Sequence, residues 1–182
     1  MSTTVRLLAP QDYDGWLPLW NGYLRFYRES LDDDVTRRTF ERLSQQQNDM
    51  FGLVAETSEG RLVGLAHALL HPSTWSDSPS CYLEDLFVAR ADRGTGAALA
   101  LIEEVAAQAR RRGSEKLYWH TQEFNGPARS LYDQVASRVS FVLYERMLDG
   151  PDHSSLSDRE TGSLRSGTGS RDPASGASGV RW

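Results

Sequence analysis

The feature that most constrains this chain is an apolar segment, Tyr82–Val88, that leads through a short loop into an amphipathic stretch. The segment has the length and apolar content of a strand. Residues Thr95–Arg112 carry apolar side chains three and four positions apart, as in a helix that buries one face. Gly94 and Gly96 lie between the two, where glycine permits a tight turn and lets a ligand approach the backbone. The sequence therefore predicts a strand–loop–helix unit of an α/β fold.

The rest of the chain extends this unit into one α/β domain. The predicted order is β-α-α-β-β-β-α-β-α-β, and the sheet is mixed because the first half contains antiparallel hairpins, one of them turning at Ser58–Gly60. A helix is expected to open at Pro10 and to bend at Pro18, and Asp34 is the expected N-cap of the next helix. The last helix is predicted over Asn125–Ala136, and the strands over Thr3–Leu8, Met50–Glu56, Arg61–Leu70, Cys81–Ala89, Lys116–Thr121 and Ser140–Met147.

The chain changes character near residue 149. Residues 150–182 include eight serines, six glycines and two prolines, and four acidic residues there are balanced by four arginines. Such a segment buries too little apolar surface to offset the entropy lost on ordering it. We expect a folded domain over residues 1–149, which carries the whole net charge of −5, and a disordered tail over residues 150–182.

Composition argues against several classes of protein. A net charge of −5 and a pI near 5.4 disfavour nucleic acid as the main partner, because a phosphate-backbone binder needs a basic face. The longest apolar runs are about six residues, whereas a membrane span needs roughly 20, and Met1–Pro10 lacks the pattern of a signal peptide. The single cysteine, Cys81, excludes an internal disulfide and a cysteine metal cluster. We expect a cytoplasmic protein with no metal, nucleic acid or membrane partner.

The loop that follows Tyr82–Val88 has the features of an anion site. Gly94 and Gly96 precede a helix whose first N–H groups are unpaired and whose dipole favours negative charge, and Arg93 adds a cation. These residues predict a phosphate or pyrophosphate site, with an ordinary strand-to-helix turn as the alternative. A nucleotide-hydrolysing P-loop would need a Gly-Lys-Ser/Thr sequence, and a dinucleotide site would need a third glycine where Leu99 stands. Neither is present.

Two adjacent acids, Glu84 and Asp85, lie in the otherwise apolar strand. Adjacent strand residues point to opposite faces, so at most one is expected to face a given pocket. A buried carboxylate is costly unless it is paired or solvated, which makes these acids candidates for lining a cavity. Desolvation would also raise the pKa of a carboxyl toward that of a useful base. The alternative is that both are merely hydrogen-bonded at a sheet edge. Tyr132, on the apolar stripe of the last helix, is a catalytic candidate with core packing as its alternative.

Three motifs follow one another along the chain. They are the strand Tyr82–Val88, the loop Arg93–Ala98, and the set Asn125, Ala128 and Tyr132. Together they resemble the GNAT superfamily of acetyl-CoA-dependent N-acetyltransferases over roughly residues 3–148. The strand is similar to that of spermidine/spermine acetyltransferases, and Tyr118–Gln122 with Leu131–Asp133 is closer to the fungal histone and D-amino-acid acetyltransferase branch. The usual Gly-Phe after the last helix is replaced by Gln134–Phe141.

The resemblance implies a splayed mixed sheet and an acetyl-CoA site. In that family the CoA pyrophosphate lies on the amides of the glycine loop, and the pantetheine arm pairs with strand backbone like an added strand. The implied catalytic residues are Glu84 as the base and Tyr132 as the acid, in direct transfer within a ternary complex. The implied acetyl-CoA-binding residues are Leu86, Phe87, Val88, Arg93, Gly94, Thr95, Gly96, Ala97, Ala98, Asn125 and Ala128.

The acceptor is expected to be a primary amine of a small cationic molecule, with polyamines, amino acids and aminoglycosides all open. The residues expected to bind it are Tyr27, Glu84, Asp85 and Trp119. Aromatic rings attract ammonium groups, and core packing is the alternative role for these rings and for Trp20, Tyr23 and Trp75. Two other functions stay open: acetylation of protein or histone lysines, and a non-catalytic acetyl-CoA sensor. The resemblance also allows a homodimer.

Overall fold

The computed structural model describes residues 3–146 and residue 148, and the predicted tail over residues 150–182 lies outside them. The strands in this part are β1 (Thr3–Leu7), β2 (Met50–Thr57), β3 (Leu62–His71), β4 (Ser80–Val88) and β5 (Lys116–Tyr118). The α-helices are α1 (Tyr13–Tyr27), α2 (Asp33–Ser44), α3 (Ala97–Arg111) and α4 (Gly126–Val135). None of the helices described is long and apolar enough to cross a membrane.

The strands form one sheet in sequence order, from β1 at one edge to β5 at the other. Neighbours from β1 to β4 are antiparallel, whereas β4 and β5 run parallel. The hairpin between β2 and β3 turns at Gly60, whose φ of 82° lies in the left-handed region, where glycine is unstrained. The mixed α/β sheet predicted from the sequence is therefore confirmed.

Different helices cover the two faces of the sheet. On one face α3 packs its apolar stripe, Leu101, Ile102 and Val105, against the central strands. The other face carries α1 and α2, whose buried side chains are Trp16, Leu19, Trp20, Phe40 and Leu43. Burial of each such large side chain contributes about 1.5–3 kcal/mol. The sheet therefore packs between two apolar layers, which fixes the positions of β4 and β5.

Two helix starts differ from the sequence prediction. Asp32, and not Asp34, is the N-cap of α2, because its carbonyl accepts the first helical hydrogen bond from the Thr36 N–H (3.0 Å). Asp34 lies in the first turn, where the helix dipole favours an acid. Near the N-terminus, a 3₁₀ turn over Pro10–Asp12 precedes α1. Three consecutive aspartates can each cap a helix, so the sequence alone did not define the start of α2.

The predicted closing strand over Ser140–Met147 is not formed in the described residues 137–146, and Met147 lies outside them. A strand requires a partner for its backbone N–H and C=O groups. In the structure Phe141, Val142 and Tyr144 are exposed, and no strand pairs with this segment. The predicted order is therefore corrected at its end, where the described elements stop at α4.

Candidate active site

The sheet divides between β4 and β5. The two strands pair only at their first three residues, Ser80–Tyr82 with Lys116–Tyr118, so within the described residues β4 continues to Val88 with no neighbour on that side. The separation opens a cavity of about 470 Å³ between α1, β4, the start of α3 and α4. A cavity of this size suits a small molecule or cofactor. The splayed sheet expected from the sequence is confirmed.

A β-bulge lies in the middle of β4. Leu83 and Asp85 pair with consecutive residues of β3, Ala68 and His67, which leaves Glu84 without a partner on that strand. A bulge interrupts the alternation of side chains and increases the local twist. The expectation that at most one of the two acids faces a given pocket holds, since Glu84 lines the cavity and Asp85 does not. The Asp85 carboxylate is nevertheless close enough to raise the pKa of Glu84.

Glu84 lines the cavity and reaches solvent through it. Desolvation by the surrounding protein raises the pKa of its carboxyl, and the charge of Asp85 raises that pKa further. Both effects disfavour the ionised form, so the ionised group is a stronger base than an ordinary glutamate. Asp85 does not line the cavity. Its side chain is only 13% exposed, and its Oδ2 lies 2.9 Å from Nδ1 of His67.

Two tyrosines of α1, Tyr23 and Tyr27, form the wall near these acids. Their ring centroids are 4.9 Å apart. Burial raises the pKa of both phenols, and the charge of Asp85 raises them further. The two hydroxyls therefore stay protonated over the neutral range and can donate hydrogen bonds into this end of the site.

The loop between β4 and α3 has backbone geometry that glycine allows. Gly94 and Gly96 have φ values of 80° and 89°, which cost an ordinary residue about 1–2 kcal/mol. Gly96 is the N-cap of α3, and its carbonyl accepts a hydrogen bond from the Ala100 N–H (3.0 Å). The N–H groups of residues 97–99 precede that bond and carry the positive end of the helix dipole. This loop lines the cavity, so the cavity has an anion-binding end.

Arg93 supplies a cation at the same end. Its Nε donates a hydrogen bond to the Val88 carbonyl (3.2 Å), and its guanidinium carbon lies 5.8 Å from the centre of the Phe87 ring. These contacts hold the side chain beside the end of β4. The anion-binding end therefore combines a fixed positive charge with free backbone donors.

Tyr132 enters the cavity from α4. Burial raises the pKa of Tyr132 to about 12, and the neighbouring Tyr27 contributes to that rise. The Tyr132 ring packs edge-to-face on Trp119, with 5.3 Å between ring centroids. The phenol is therefore held in place and stays protonated at neutral pH, as a general acid requires.

The cavity brings together most of the residues that the sequence singled out. They are Tyr27, Glu84, Leu86, Phe87, Val88, Arg93, Gly94, Gly96, Ala97, Ala98, Asn125, Ala128 and Tyr132. Three others do not line it. Asp85 is bonded to His67, the Thr95 hydroxyl donates to the Asp92 carbonyl (2.7 Å), and Trp119 packs behind Tyr132. The structure gives Thr95 and Trp119 no side-chain contact with the cavity, because each is engaged elsewhere.

The other aromatic rings divide between wall and core. Tyr23 lines the cavity. Trp20 is buried and stacks on Trp16, so core packing, its alternative role, is correct. Trp75 is 92% exposed in the loop between β3 and β4 and does not line the cavity.

Sequence reasoning missed several lining residues. They are Phe26, Leu83, Asp92, Leu99, Thr121, Pro127 and Leu131. Most of them adjoin a motif position along the chain, so proximity to a motif was the available signal. Phe26 carries a second signal, since 47% of this large apolar side chain is exposed, as expected of a residue at the mouth of a binding site.

A sheet that splays beside a glycine loop, with a carboxyl and a phenol facing one cavity, suits the transfer of a group from a donor that carries a phosphate anion. The match to known families agrees with this class. Residues 16–136 match the model of the acetyltransferase (GNAT) family. The chain belongs to the GNAT family and is an acetyl-CoA-dependent N-acetyltransferase, as the three sequence motifs indicated.

Curated relatives and solved structures support the assignment. The D-amino-acid N-acetyltransferase HPA3 of Saccharomyces cerevisiae is 33% identical over 143 residues, which cover 78% of this chain and 89% of that protein. A ribosomal-protein-alanine N-acetyltransferase from Brucella melitensis biovar Abortus 2308 has a TM-score of 0.68 at 25% identity, covering 81% of this chain and 100% of that one. The structure of AAC(6')-Iy with the bisubstrate analogue CoA-S-monomethyl-acetylneamine has a TM-score of 0.71 at 20% identity, covering 82% and 100%, and shows the shared fold.

Proposed function

We propose that this enzyme transfers the acetyl group of acetyl-CoA to a primary amine of a small cationic molecule within a ternary complex. In this proposal Glu84 accepts the proton of the amine, and Tyr132 donates its phenolic proton to the departing thiolate sulfur of CoA. The observation that carries it is that both side chains face one cavity whose other end is a glycine loop with Arg93. A base, an acid and an anion-binding end are the parts that such a transfer needs.

The donor end is supported by two features of the backbone. The N–H groups at the start of α3 and the Arg93 guanidinium fit the CoA pyrophosphate. Along Leu86–Val88 the edge of β4 has no strand beside it among the described residues, so its backbone can pair with an extended pantetheine arm. Acetyl-CoA, when bound, supplies the activated thioester. In this proposal a backbone N–H of this edge stabilises the charge that develops on the thioester carbonyl.

The acceptor end is supported by its charge. Among the described residues that line the cavity, arginine occurs only at Arg93 and Arg93 belongs to the donor end. The acceptor end has Glu84, with Asp85 just behind it, and the tyrosines of α1. Two carboxyl groups near one end of the cavity attract an ammonium group. An amine near pKa 10 is mostly protonated at neutral pH, so it must lose a proton to Glu84 before it can attack.

A D-amino acid is the second acceptor class, because the yeast relative at 33% identity is named for that substrate. Its α-carboxylate would need a cation, and the described cavity lining offers no lysine and, besides Arg93 at the donor end, the imidazole of His120. The two other functions that the sequence leaves open are acetylation of protein lysines and sensing of acetyl-CoA without turnover. The charge of the site therefore ranks polyamines and other cationic amines first.

The test is acceptor-dependent release of CoA thiol from acetyl-CoA. The panel contains spermidine, an aminoglycoside, L- and D-amino acids and a lysine-rich peptide, each measured at several pH values. We expect the highest kcat/KM for a small amine with more than one positive charge. A higher kcat/KM for a D-amino acid or for the peptide would show that the acceptor class proposed here is wrong. Binding of acetyl-CoA without release of CoA for any amine would contradict the proposed function itself.

A further inference from the structure

A chain of hydrogen bonds runs from the core to the acidic end of the cavity. Trp16 Nε1 lies 2.9 Å from His67 Nε2, and His67 Nδ1 lies 2.9 Å from Asp85 Oδ2. Trp16 and His67 are 0% and 2% exposed. The three residues belong to α1, β3 and β4, so the chain joins the helix that walls the site to the bulged strand that carries Glu84.

The direction of these hydrogen bonds defines the state of His67. An indole nitrogen only donates, so His67 Nε2 accepts from Trp16 and carries no proton. The imidazole proton is then on Nδ1, which donates to the Asp85 carboxylate. A second proton on Nε2 would face the Trp16 N–H and would break that hydrogen bond. Trp16 thereby favours the tautomer whose one imidazole proton lies on Nδ1, facing the Asp85 carboxylate.

We propose that His67 is a positioning residue for acceptor binding: held by Trp16, it orients the Asp85 carboxylate and leaves its negative charge uncancelled. The inference rests on the proposed function. The surroundings of His67 support it, since its neighbour across β2 is Gly52, which has no side chain, and Trp20 of α1 packs on it as a neutral ring. Asp85 is thus the carboxylate that the imidazole faces, the Tyr23 hydroxyl of α1 also bonds to Asp85, and Glu84 is the next charge along β4.

The oriented carboxylate acts on the groups that do line the cavity. Burial, and then the charge of Asp85, raise the pKa of the Glu84 carboxyl and of the Tyr23 and Tyr27 hydroxyls, whereas positive charge on His67 lowers the pKa of Glu84. A cationic His67 would offset that charge and weaken both the base and the attraction for an ammonium group. The neutral tautomer is therefore part of what makes this end of the site select a cation.

The chain offers matched variants for a test. His67→Asn keeps an N–H donor near the position of Nδ1, whereas His67→Leu removes donor and acceptor together. Trp16→Phe removes the indole donor, and Trp20→Phe is its control, because Trp20 stacks on Trp16 in the same helix and its Nε1 has no hydrogen-bond partner among the described residues. For each variant we would measure kcat and KM for the amine that the wild type acetylates fastest. The affinity for acetyl-CoA is measured separately. ¹⁵N spectra of protein with labelled histidine report the tautomer of His67.

We expect His67→Leu to lower acceptor kcat/KM by about 10- to 100-fold, the loss that corresponds to a hydrogen bond to a charged group, with His67→Asn retaining most of it and acetyl-CoA affinity unchanged. The wild-type spectrum should show a proton on Nδ1 and none on Nε2. In Trp16→Phe, but not in Trp20→Phe, His67 Nε2 loses its hydrogen-bond donor and should carry a proton in the spectrum, and acceptor KM should rise with it.

Equal losses in His67→Asn and His67→Leu, or a parallel loss of acetyl-CoA affinity, would reduce His67 to a structural role and overturn the proposal. So would a proton on Nε2 in the wild-type spectrum at neutral pH. If the wild type releases no CoA with any amine, the proposed function fails and the acceptor role of His67 fails with it. The spectrum then still decides whether Trp16 and Asp85 hold the imidazole as described.

Discussion

At the residue scale, the proposed function depends on a carboxyl group, Glu84, whose surroundings make it more basic. Glu84 is the unpaired residue of the bulge in β4, so its side chain is free to enter the cavity while the strand continues on both sides. Asp85, directly behind it, adds negative charge that raises the Glu84 pKa. One local irregularity therefore gives the strand a base and the charge that strengthens it.

Replacing the base tests this arrangement. Glu84→Gln should lower acceptor kcat/KM about 10²–10⁴-fold at pH 7, and the loss should shrink toward pH 9, because more of the amine is then already unprotonated. Initial rates of thiol release across pH measure both effects. Glu103→Gln, which changes an exposed glutamate of α3 outside the cavity, is the control and should follow the wild type. A loss for Glu84→Gln that does not vary with pH would contradict a role in removing the proton.

The raised pKa of Glu84 also predicts a pH effect on stability. An unfolded chain gives a glutamate an ordinary pKa of about 4.3, and the folded protein raises it, so between the two values the folded state binds more protons. The stability contributed by the protonated carboxyl is present at low pH and is lost as the pH rises through the folded pKa. Glu84→Gln should therefore have a slightly higher Tm than the wild type at pH 7, with the difference vanishing below about pH 4. The effect is small because the carboxyl reaches solvent. A lower Tm at pH 7 would show that a cation stabilises the charge.

At the scale of elements, the start of α3 depends on a backbone shape that side chains disfavour. Gly96 has a φ of 89°, and Gly113, just beyond the other end of α3, has a φ of 81°. Neither position has any atom within 4 Å of an added Cβ. Gly96→Ala and Gly113→Ala should therefore both lower the free energy of unfolding by about 1–2 kcal/mol through conformation alone.

Only one of the two substitutions should affect the donor. Gly96→Ala is expected to weaken acetyl-CoA binding by about tenfold, because relief of the strain turns the first amides of α3 away from the anion. Gly113→Ala should leave the affinity unchanged. Calorimetric titration with acetyl-CoA and thermal melts of both variants separate the two effects. Similar acetyl-CoA affinities in both variants would show that the anion is held elsewhere.

Features set by residues close together along the chain could be predicted from the sequence, whereas features set by distant residues could not. Strands and helices were predictable from local periodicity, and the glycine loop, Glu84 and Tyr132 from motifs. The bulge depends on the register of β4 against β3, which no local pattern encodes, so the sequence predicted that at most one of the two acids faces the cavity but not that Glu84 is the residue left unpaired on β3. The role of His67 was missed for the same reason, since its partners lie 51 and 18 residues away along the chain. The prediction of a closing strand over Ser140–Met147 was wrong in the described residues, because an alternating pattern indicates which side chains share a face but does not provide a neighbouring strand to pair with.

At the scale of the whole molecule, the cavity separates two kinds of charge. In the proposed function its donor end has Arg93 and the N-terminus of α3, where the Asp92 carboxylate is paired with Arg61 (2.8 Å), and its acceptor end has Glu84 with Asp85 behind it. The net charge of −5 extends the negative field beyond the site, which favours the approach of cationic acceptors. Acceptor kcat/KM should therefore fall as ionic strength rises, since salt screens attraction over distances near the Debye length of about 8–10 Å.

Residues 1–149 are expected to be sufficient for folding and for activity. Both apolar cores consist of residues between β1 and α4, and the family match ends at residue 136. Removing residues 150–182, a serine- and glycine-rich segment with balanced charge, should therefore leave Tm, acetyl-CoA affinity and small-amine turnover unchanged. Thermal melts and thiol-release rates of the truncated chain measure this. A fall of several degrees in Tm would mean that the segment packs on the domain. A loss confined to the lysine-rich peptide would instead make the segment a docking arm and move protein lysines ahead of small amines as acceptors.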